Sequence, residues 1–101
     1  MIRYILSAEA AGDLIDIWQY IESRSRPEIA DRVVAKIREK IDLLCDSPDI
    51  GHRRKDLTGD DVRFFAAYSY LIVYQPATKP LRIVSVLHGR RDIERILDDR
   101  V

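Results

Sequence analysis

The hydrophobic pattern of the chain changes its period once, near residue 62, and this change limits the folds that the chain can adopt. From residue 8 to residue 46 the apolar residues recur every three or four positions, which is typical of amphipathic helices. From Val62 to His88 the sequence is instead rich in β-branched and aromatic residues, which favours strands. A helical first half followed by a β-rich second half predicts an α+β fold, with helices on a face of one sheet.

Two helices are predicted in the first half. The first runs from Ala8 to about Ser23 after an N-cap at Ser7, and the second begins around Pro27, where Ser25 and Glu28 have capping-box spacing. The apolar stripe of the first helix is Ala11, Leu14, Trp18 and Ile21 with Ile17 beside it, opposite Glu9, Asp13 and Asp16. The stripe of the second is Ala30, Val33, Ile37, Ile41 and Leu44, and Ser47-Pro48 ends it. We expect the two helices to form an antiparallel hairpin.

Four strands and a last short helix complete the predicted order. Residues 2–6 form a short apolar run, and the β-rich segment is divided into three strands by breaks near 67–69 and at QPATKP. The sequence RRDIERILDDR predicts a helix that docks through Ile93, Ile96 and Leu97. The order β-α-α-β-β-β-α predicts a helix hairpin packed on a mainly antiparallel four-stranded sheet. We expect the core to contain Leu14, Trp18, Val33, Ile37, Ile41, Val73 and Val84.

Length and composition limit the classes of function. A chain of 101 residues predicts a single domain over residues 1–101. The 17 basic and 17 acidic residues cancel, so no overall field favours nucleic acid or a membrane, and we expect no sequence-specific DNA binding by this chain alone. A single cysteine, Cys45, and the lack of a long apolar run or a secretion signal predict a cytoplasmic protein that does not enter a membrane.

Catalytic and metal sites receive little support from the sequence. His52, His88 and Cys45 are scattered without ligand spacing, and the four glycines form no phosphate loop, so neither a metal nor a cofactor is expected. Ser85, His88 and Asp92 resemble a nucleophilic triad in composition alone. In a strand, however, Ser85 and His88 point to opposite faces, and Asp92 is better explained as a helix cap.

Basic residues are the main candidates for binding a partner. They are the HRRK segment with Arg53 and Arg54, then Arg63, Arg82, Arg90 and Arg91. In an antiparallel sheet these residues are able to converge on one side and to bind phosphate or an acidic protein. The alternative is a solvated rim that balances the acidic helices. Tyr68, Tyr70 and Tyr74 would add contact area, although alternate residues of a strand must face the core.

The order of several motifs resembles the ParE branch of the RelE/ParE toxin superfamily. The motifs are AAGDLIDIWQYI, SPDIGHRRKDL, YLIVYQ and, above all, RIVSVLHGRRD. The resemblance covers nearly the whole chain. It implies the toxin of a bacterial type II toxin-antitoxin pair, with ParE members poisoning DNA gyrase and RelE members cutting messenger RNA on the ribosome.

The resemblance leaves three functions open. In a RelE-like nuclease Arg63, Arg82 and His88 would supply part of the acid-base and phosphate-binding set. That set is incomplete here, because no tyrosine follows Tyr74. We therefore favour a non-enzymatic, gyrase-directed toxin held inactive by a ParD-like antitoxin, with target-binding residues Arg53, Arg54, Arg63, His88, Arg90 and Arg91. The third possibility is a toxin fold that has lost toxicity and only binds its antitoxin.

Overall fold

The computed structural model describes residues 2–100 and contains three helices and four strands. In chain order the elements are β1 (Tyr4–Leu6), α1 (Ala8–Arg24), α2 (Pro27–Asp46), β2 (Arg63–Ala67), β3 (Tyr70–Gln75), β4 (Leu81–His88) and α3 (Ile93–Arg100). The predicted order is confirmed. None of the helices within residues 2–100 combines the length and apolar character needed to cross a bilayer.

The four strands form one mixed sheet in the order β1-β4-β3-β2. β2 pairs with β3 and β3 with β4 in antiparallel fashion, and β1 is parallel to β4. β1 covers only the first part of β4, with Tyr4 opposite Leu81 and Leu6 opposite Ile83. The mainly antiparallel four-stranded sheet is therefore confirmed, and the later part of β4 is left for α1 to contact.

The sheet has an apolar cluster on each face. The helix hairpin covers one face, where Leu14, Ile37 and Ile41 pack against Ile72 and Ile83. On the opposite face α3 packs through Ile93 and Leu97, and these join Phe64, Val73, Val84 and Leu87. The alternation of side chains along each strand supplies both clusters from the same backbone.

The apolar stripe of α1 is rotated relative to the prediction. Ala10, Leu14 and Ile17 are buried, whereas Trp18 is only partly buried and donates from Nε1 to Asp31 Oδ1 of α2 at 2.7 Å. The expectation of Trp18 in the core was therefore wrong, because its indole nitrogen is bound at the exposed side of the hairpin. Val33 is likewise partly buried and packs against the cluster.

The junction between the two helices also differs from the prediction. Ser25 is the C-cap of α1, and its backbone N–H donates to Glu22 O. The N-cap of α2 is Arg26, whose side chain makes no capping bond. Pro27 does occupy the first turn, where its missing N–H is not needed. The capping box of Ser25 and Glu28 was thus wrong, because the two helices are too close in sequence for Ser25 to cap the second.

Candidate partner-binding surface

A cleft of about 760 Å³ opens between α1 and the end of β4. Four apolar residues that are buried or partly buried line it: Ile17, Ile21, Val33 and Val86. The remaining lining residues are polar, aromatic or charged: Asp13, Asp16, Tyr20, Tyr68, Ser69, Tyr70, His88, Arg90 and Arg91. An apolar centre with a polar rim is the usual layout of a protein interface. We call this surface the His88 cleft.

Backbone hydrogen bonds fix the segment between β4 and α3 beside the cleft. The Gly89 N–H donates to Ser69 O at 2.9 Å, and the Arg91 N–H donates to His88 O at 3.0 Å. The Arg90 N–H donates to Nδ1 of His88 at 3.1 Å, so the imidazole closes the turn as an acceptor. Asp92 accepts from the Arg95 N–H at 3.4 Å, which agrees with its predicted capping position at the start of α3. The side chains of Arg90 and Arg91 therefore extend from a turn whose backbone is fixed by hydrogen bonds.

The side chains of Arg90 and Arg91 are exposed beside the cleft. Within residues 2–100 neither of them forms an ion pair. A guanidinium group that is not neutralised by a neighbour remains available to a carboxylate or phosphate of a partner. These two arginines therefore have the arrangement expected of a binding surface.

Exposed aromatic rings stand next to the two arginines. Tyr68 is 60% exposed and Tyr20 is 56% exposed. Tyr68 also has φ of 57°, in the left-handed region that side chains with a β-carbon rarely adopt. A two-residue hairpin turn favours positive φ at its first central residue, so the turn accounts for this conformation and presents the Tyr68 ring to solvent beside the cleft.

Tyr70 links the turn to His88. Its ring meets the imidazole edge-on, with centroids 5.5 Å apart and planes at 86°. Burial raises the pKa of the Tyr70 hydroxyl, and the nearby Tyr20 hydroxyl raises it further. Tyr70 therefore stays protonated at neutral pH and is able to donate a hydrogen bond into the cleft.

Arg63 lies away from the cleft and binds the loop before β2. Its Nη1 donates to Gly51 O at 2.9 Å and to Asp49 O at 3.2 Å. From β3, the buried Tyr74 hydroxyl donates to Pro48 O at 2.6 Å and accepts from the Gly51 N–H at 3.0 Å. The structure thus gives both side chains a role in holding residues 48–51 against the sheet.

Arg53 and Arg54 are paired within their own loop. Arg53 Nη2 lies 2.9 Å from Asp61 Oδ1, and Arg54 makes two hydrogen bonds to Asp56, of 2.8 and 3.0 Å. The Arg54 guanidinium lowers the pKa of the Asp56 carboxyl through that hydrogen bond. Both arginines are exposed, so a partner would have to displace an acidic neighbour to bind them.

The sequence raised the possibility that the basic residues converge on one side of the sheet. The structure does not bring them together there. Arg63 pairs with Tyr74, which pairs with Ile83, five residues before His88 on β4. At about 3.3 Å per residue this places Arg63 roughly 17 Å from His88 along the sheet. Arg82 alternates with Leu81 and Ile83, which face the helix hairpin, so its side chain lies on the other face. Arg63, Arg82 and His88 are therefore not brought together.

A buried ion pair that was not predicted from the sequence lies next to the cleft. Asp13 is 5% exposed, and Arg100 of α3 binds it with both terminal nitrogens, at 2.7 and 3.2 Å. The Asp13 carboxylate also accepts from the Val86 N–H at 2.9 Å. The prediction that Asp13 lies on the side of α1 opposite the buried stripe was wrong. Its position between Ala10 and Ile17 was the available signal, since it falls on the buried stripe once that stripe is phased correctly.

The described residues contain neither a cluster of metal ligands nor an activated cysteine thiol. Within residues 2–100 no group of three or more His, Cys, Asp or Glu side chains is placed to hold a metal ion. Burial raises the pKa of the Cys45 thiol, which keeps it protonated at neutral pH. Its Sγ lies 3.5 Å from Arg3 O. Cys45 therefore packs as a small side chain between α2 and β1.

Comparison with known proteins identifies the class of protein. Residues 4–93 match the family profile described as "ParE toxin of type II toxin-antitoxin system, parDE". This match places the chain among the toxins of type II toxin-antitoxin systems. Within that class it belongs to the ParE family, which confirms the resemblance drawn from the sequence motifs.

Individual relatives agree with the family. Toxin ParE1 of Caulobacter vibrioides is 31% identical over 88 residues, which are 87% of this chain and 90% of that protein. Toxin ParE1 of Mycobacterium tuberculosis is 30% identical over 96 residues, covering 94% of this chain and 97% of that protein. A solved structure described as "Chromosomal ParDE TA system from P. aeruginosa" superposes with a TM-score of 0.73. It covers 87% of this chain and 96% of its own at 21% identity, and it shows the fold.

Proposed function

We propose that the free chain is a non-enzymatic toxin that binds and poisons DNA gyrase, and that a ParD-like antitoxin neutralises it by direct binding. The observation that carries the proposal is the His88 cleft, where Arg90 and Arg91 lie beside exposed Tyr20 and Tyr68. Arginine and tyrosine are the residues most often found at the energetic centre of protein interfaces. The gyrase target itself comes from the resemblance to ParE toxins.

The geometry of the basic residues favours a binding toxin over a nuclease. RNA cleavage would require a proton acceptor, a proton donor and positive charge around a single phosphate. Arg63, Arg82 and His88 are separated along the sheet and across its faces, and His88 Nδ1 is engaged with the Arg90 N–H. This separation supports the proposal that the chain acts by binding.

The antitoxin is proposed to place an amphipathic segment in the cleft. Its apolar residues would cover Ile17, Ile21 and Val33, and its acidic residues would meet Arg90 and Arg91. A stable inhibitory complex should bury more than about 1,000 Å² in total. Such an antitoxin would block the target site directly, because both partners would need the same arginines.

Expression of the chain without an antitoxin tests the gyrase proposal in cells. We expect DNA replication to stop and the DNA-damage response to be induced while messenger RNA stays intact. The cognate antitoxin is expected to be encoded beside the toxin, so co-expression of the product of the adjacent gene should restore growth. Primer extension that shows discrete cuts within translated codons would contradict the proposal and support the nuclease. Normal growth with abundant folded chain would instead support a toxin fold without toxicity.

A further inference from the structure

We infer that Asp13 and Arg100 are positioning residues for the His88 cleft: their buried ion pair ties the end of α3 to α1 beside β4, and this fixes the segment that carries Arg90 and Arg91. Neither residue is assigned a role by the proposed function. The inference rests on that function, because it explains how the proposed binding arginines are held ready.

The ion pair joins three elements that lie far apart in sequence. Arg100 of α3 binds the Asp13 carboxylate of α1 with two nitrogens and also donates to Ser85 Oγ of β4 at 3.0 Å. The Asp13 carboxylate also accepts a hydrogen bond of 2.9 Å from the Val86 N–H of β4. Both oxygens of the Asp13 carboxylate therefore accept hydrogen bonds, as its burial requires: the Asp13 side chain is 5% exposed and the Arg100 side chain 20%.

Stability alone is a weak explanation for such a pair. Burying two charges carries a large desolvation cost, and apolar residues of similar size often stabilise a fold equally well or better. Apolar residues lack the directional, bidentate hydrogen bonding of a guanidinium–carboxylate pair. A pair of this kind is therefore better suited to fixing the position of α3 than to strengthening the core.

α3 needs an anchor of this kind because it is short. It has eight residues, too few for a helix to be stable by itself in water. Its buried apolar contacts come from Ile93 and Leu97, in its first five residues. Arg100 supplies the contact at the other end. The two sets of contacts together define the direction of the helix axis.

The direction of α3 determines where Arg90 and Arg91 lie. The segment 89–92 is held at one end by the hydrogen bonds around His88 and at the other by the start of α3. Asp13 itself lines the cleft, so the ion pair is adjacent to the proposed binding surface. A segment held at both ends loses less conformational entropy when a partner binds, and this increases affinity.

Arg100→Gln is the variant that tests the inference, because Arg100 does not line the cleft and its effect on binding must be indirect. Arg95→Gln is the matched control, since Arg95 is an exposed arginine of the same helix. Arg100→Lys keeps the positive charge and should retain part of the wild-type protection of amides 89–100 from exchange. Hydrogen exchange should show faster exchange of amides 89–100 in Arg100→Gln, with little change in Arg95→Gln and with the amides of α2 still protected.

Affinity for the purified product of the adjacent gene is the second readout. We expect Arg100→Gln to weaken binding about tenfold, within the range of coupling seen for residues in contact or in one network. In the Arg90→Ala/Arg91→Ala background the same substitution should weaken binding by less than about twofold, because the arginines that Arg100 positions are gone. A merely structural role would give the same factor in both backgrounds.

The outcomes separate this inference from the proposed function. Unchanged exchange of residues 89–100 in Arg100→Gln, or an equal decrease of affinity in both backgrounds, would overturn the positioning role alone. A folded wild-type chain that does not bind the adjacent gene product would overturn the proposed neutralisation and this inference with it. Faster local exchange together with the non-additive decrease of affinity would support the inference.

Discussion

At the scale of single residues, Gly51 and Tyr74 form a close contact between the sheet and the loop before β2. The Tyr74 hydroxyl accepts from the Gly51 N–H and donates to Pro48 O. A β-carbon at residue 51 would lie 2.3 Å from the Tyr74 hydroxyl oxygen, well inside van der Waals contact. The glycine of the SPDIGHRRKDL motif is therefore required by space.

Gly51→Ala should destabilise the fold by about 1 to 3 kcal/mol, because the buried tyrosine must move and its hydrogen bonds weaken. Gly59→Ala is the matched control, since a β-carbon there meets no atom within 4 Å. Urea denaturation of the two variants gives the free energies of unfolding. Equal stability of the two variants would contradict the contact.

The buried hydroxyl of Tyr74 should also make the stability of the fold depend on pH. Burial is the main cause that raises the pKa of its hydroxyl, so the folded state holds this proton more tightly than the unfolded state. The stabilisation that the protonated Tyr74 hydroxyl contributes to the fold is fully present below the ordinary tyrosine pKa of about 10. It is lost as pH rises through the higher pKa of the folded state. We expect the free energy of unfolding to fall above about pH 10.

In Tyr74→Phe this alkaline decrease should be less steep, although Tyr70, whose pKa is also raised, would leave part of it. Chemical denaturation between neutral and alkaline pH, with Tyr4→Phe as the control, measures the slope. Identical slopes in wild type and Tyr74→Phe would show that Tyr74 is not the group that titrates.

At the scale of elements, α1 divides its contacts between two sides. Ile17 belongs to the apolar cluster beneath the hairpin, whereas Trp18 is turned towards α2 and bound to Asp31. Periodicity in the sequence predicted the helix and its ends, because three- and four-residue spacing is a local property. It did not predict the phase, since Trp18 and Ile17 are both large and apolar and only the neighbouring elements decide which is buried.

Ile17→Ala should therefore cost about 2 to 5 kcal/mol, as for large-to-small changes in a core. Trp18→Ala removes a larger side chain but should cost less than Ile17→Ala, because the indole is already partly in water. Thermal or urea unfolding of both variants compares them directly. A larger decrease in stability for Trp18→Ala would mean that the indole contributes more to the hairpin than its exposure indicates.

At the scale of the whole molecule, the sheet separates the basic residues into groups with different environments. Arg53 and Arg54 are paired within their loop, Arg63 binds loop carbonyls, and Arg90 and Arg91 remain exposed at the cleft. The sequence predicted the order of all the elements and named the basic residues as candidates for binding a partner. It did not predict this separation, because the separation depends on strand register and on which face each strand presents.

The ion pair of Asp13 and Arg100 was beyond sequence reasoning for a related reason. The two residues are 87 positions apart, and no local pattern marks either as a partner of the other. Only the assembled sheet, with β1 too short to cover the end of β4, brings α1 and α3 to the same edge. Contacts of this kind depend on the whole topology.

The most direct test of the account is a supercoiling assay with purified DNA gyrase and the purified chain. The wild-type chain should inhibit supercoiling or trap cleaved DNA, and Arg90→Ala/Arg91→Ala should weaken this effect by about 1 to 3 kcal/mol for each charge-assisted hydrogen bond that the double substitution removes. Arg95→Ala, which removes an exposed arginine of α3 that does not line the cleft, should act like wild type. Gyrase unaffected by a folded wild-type chain, or inhibited equally by the double variant, would contradict the account.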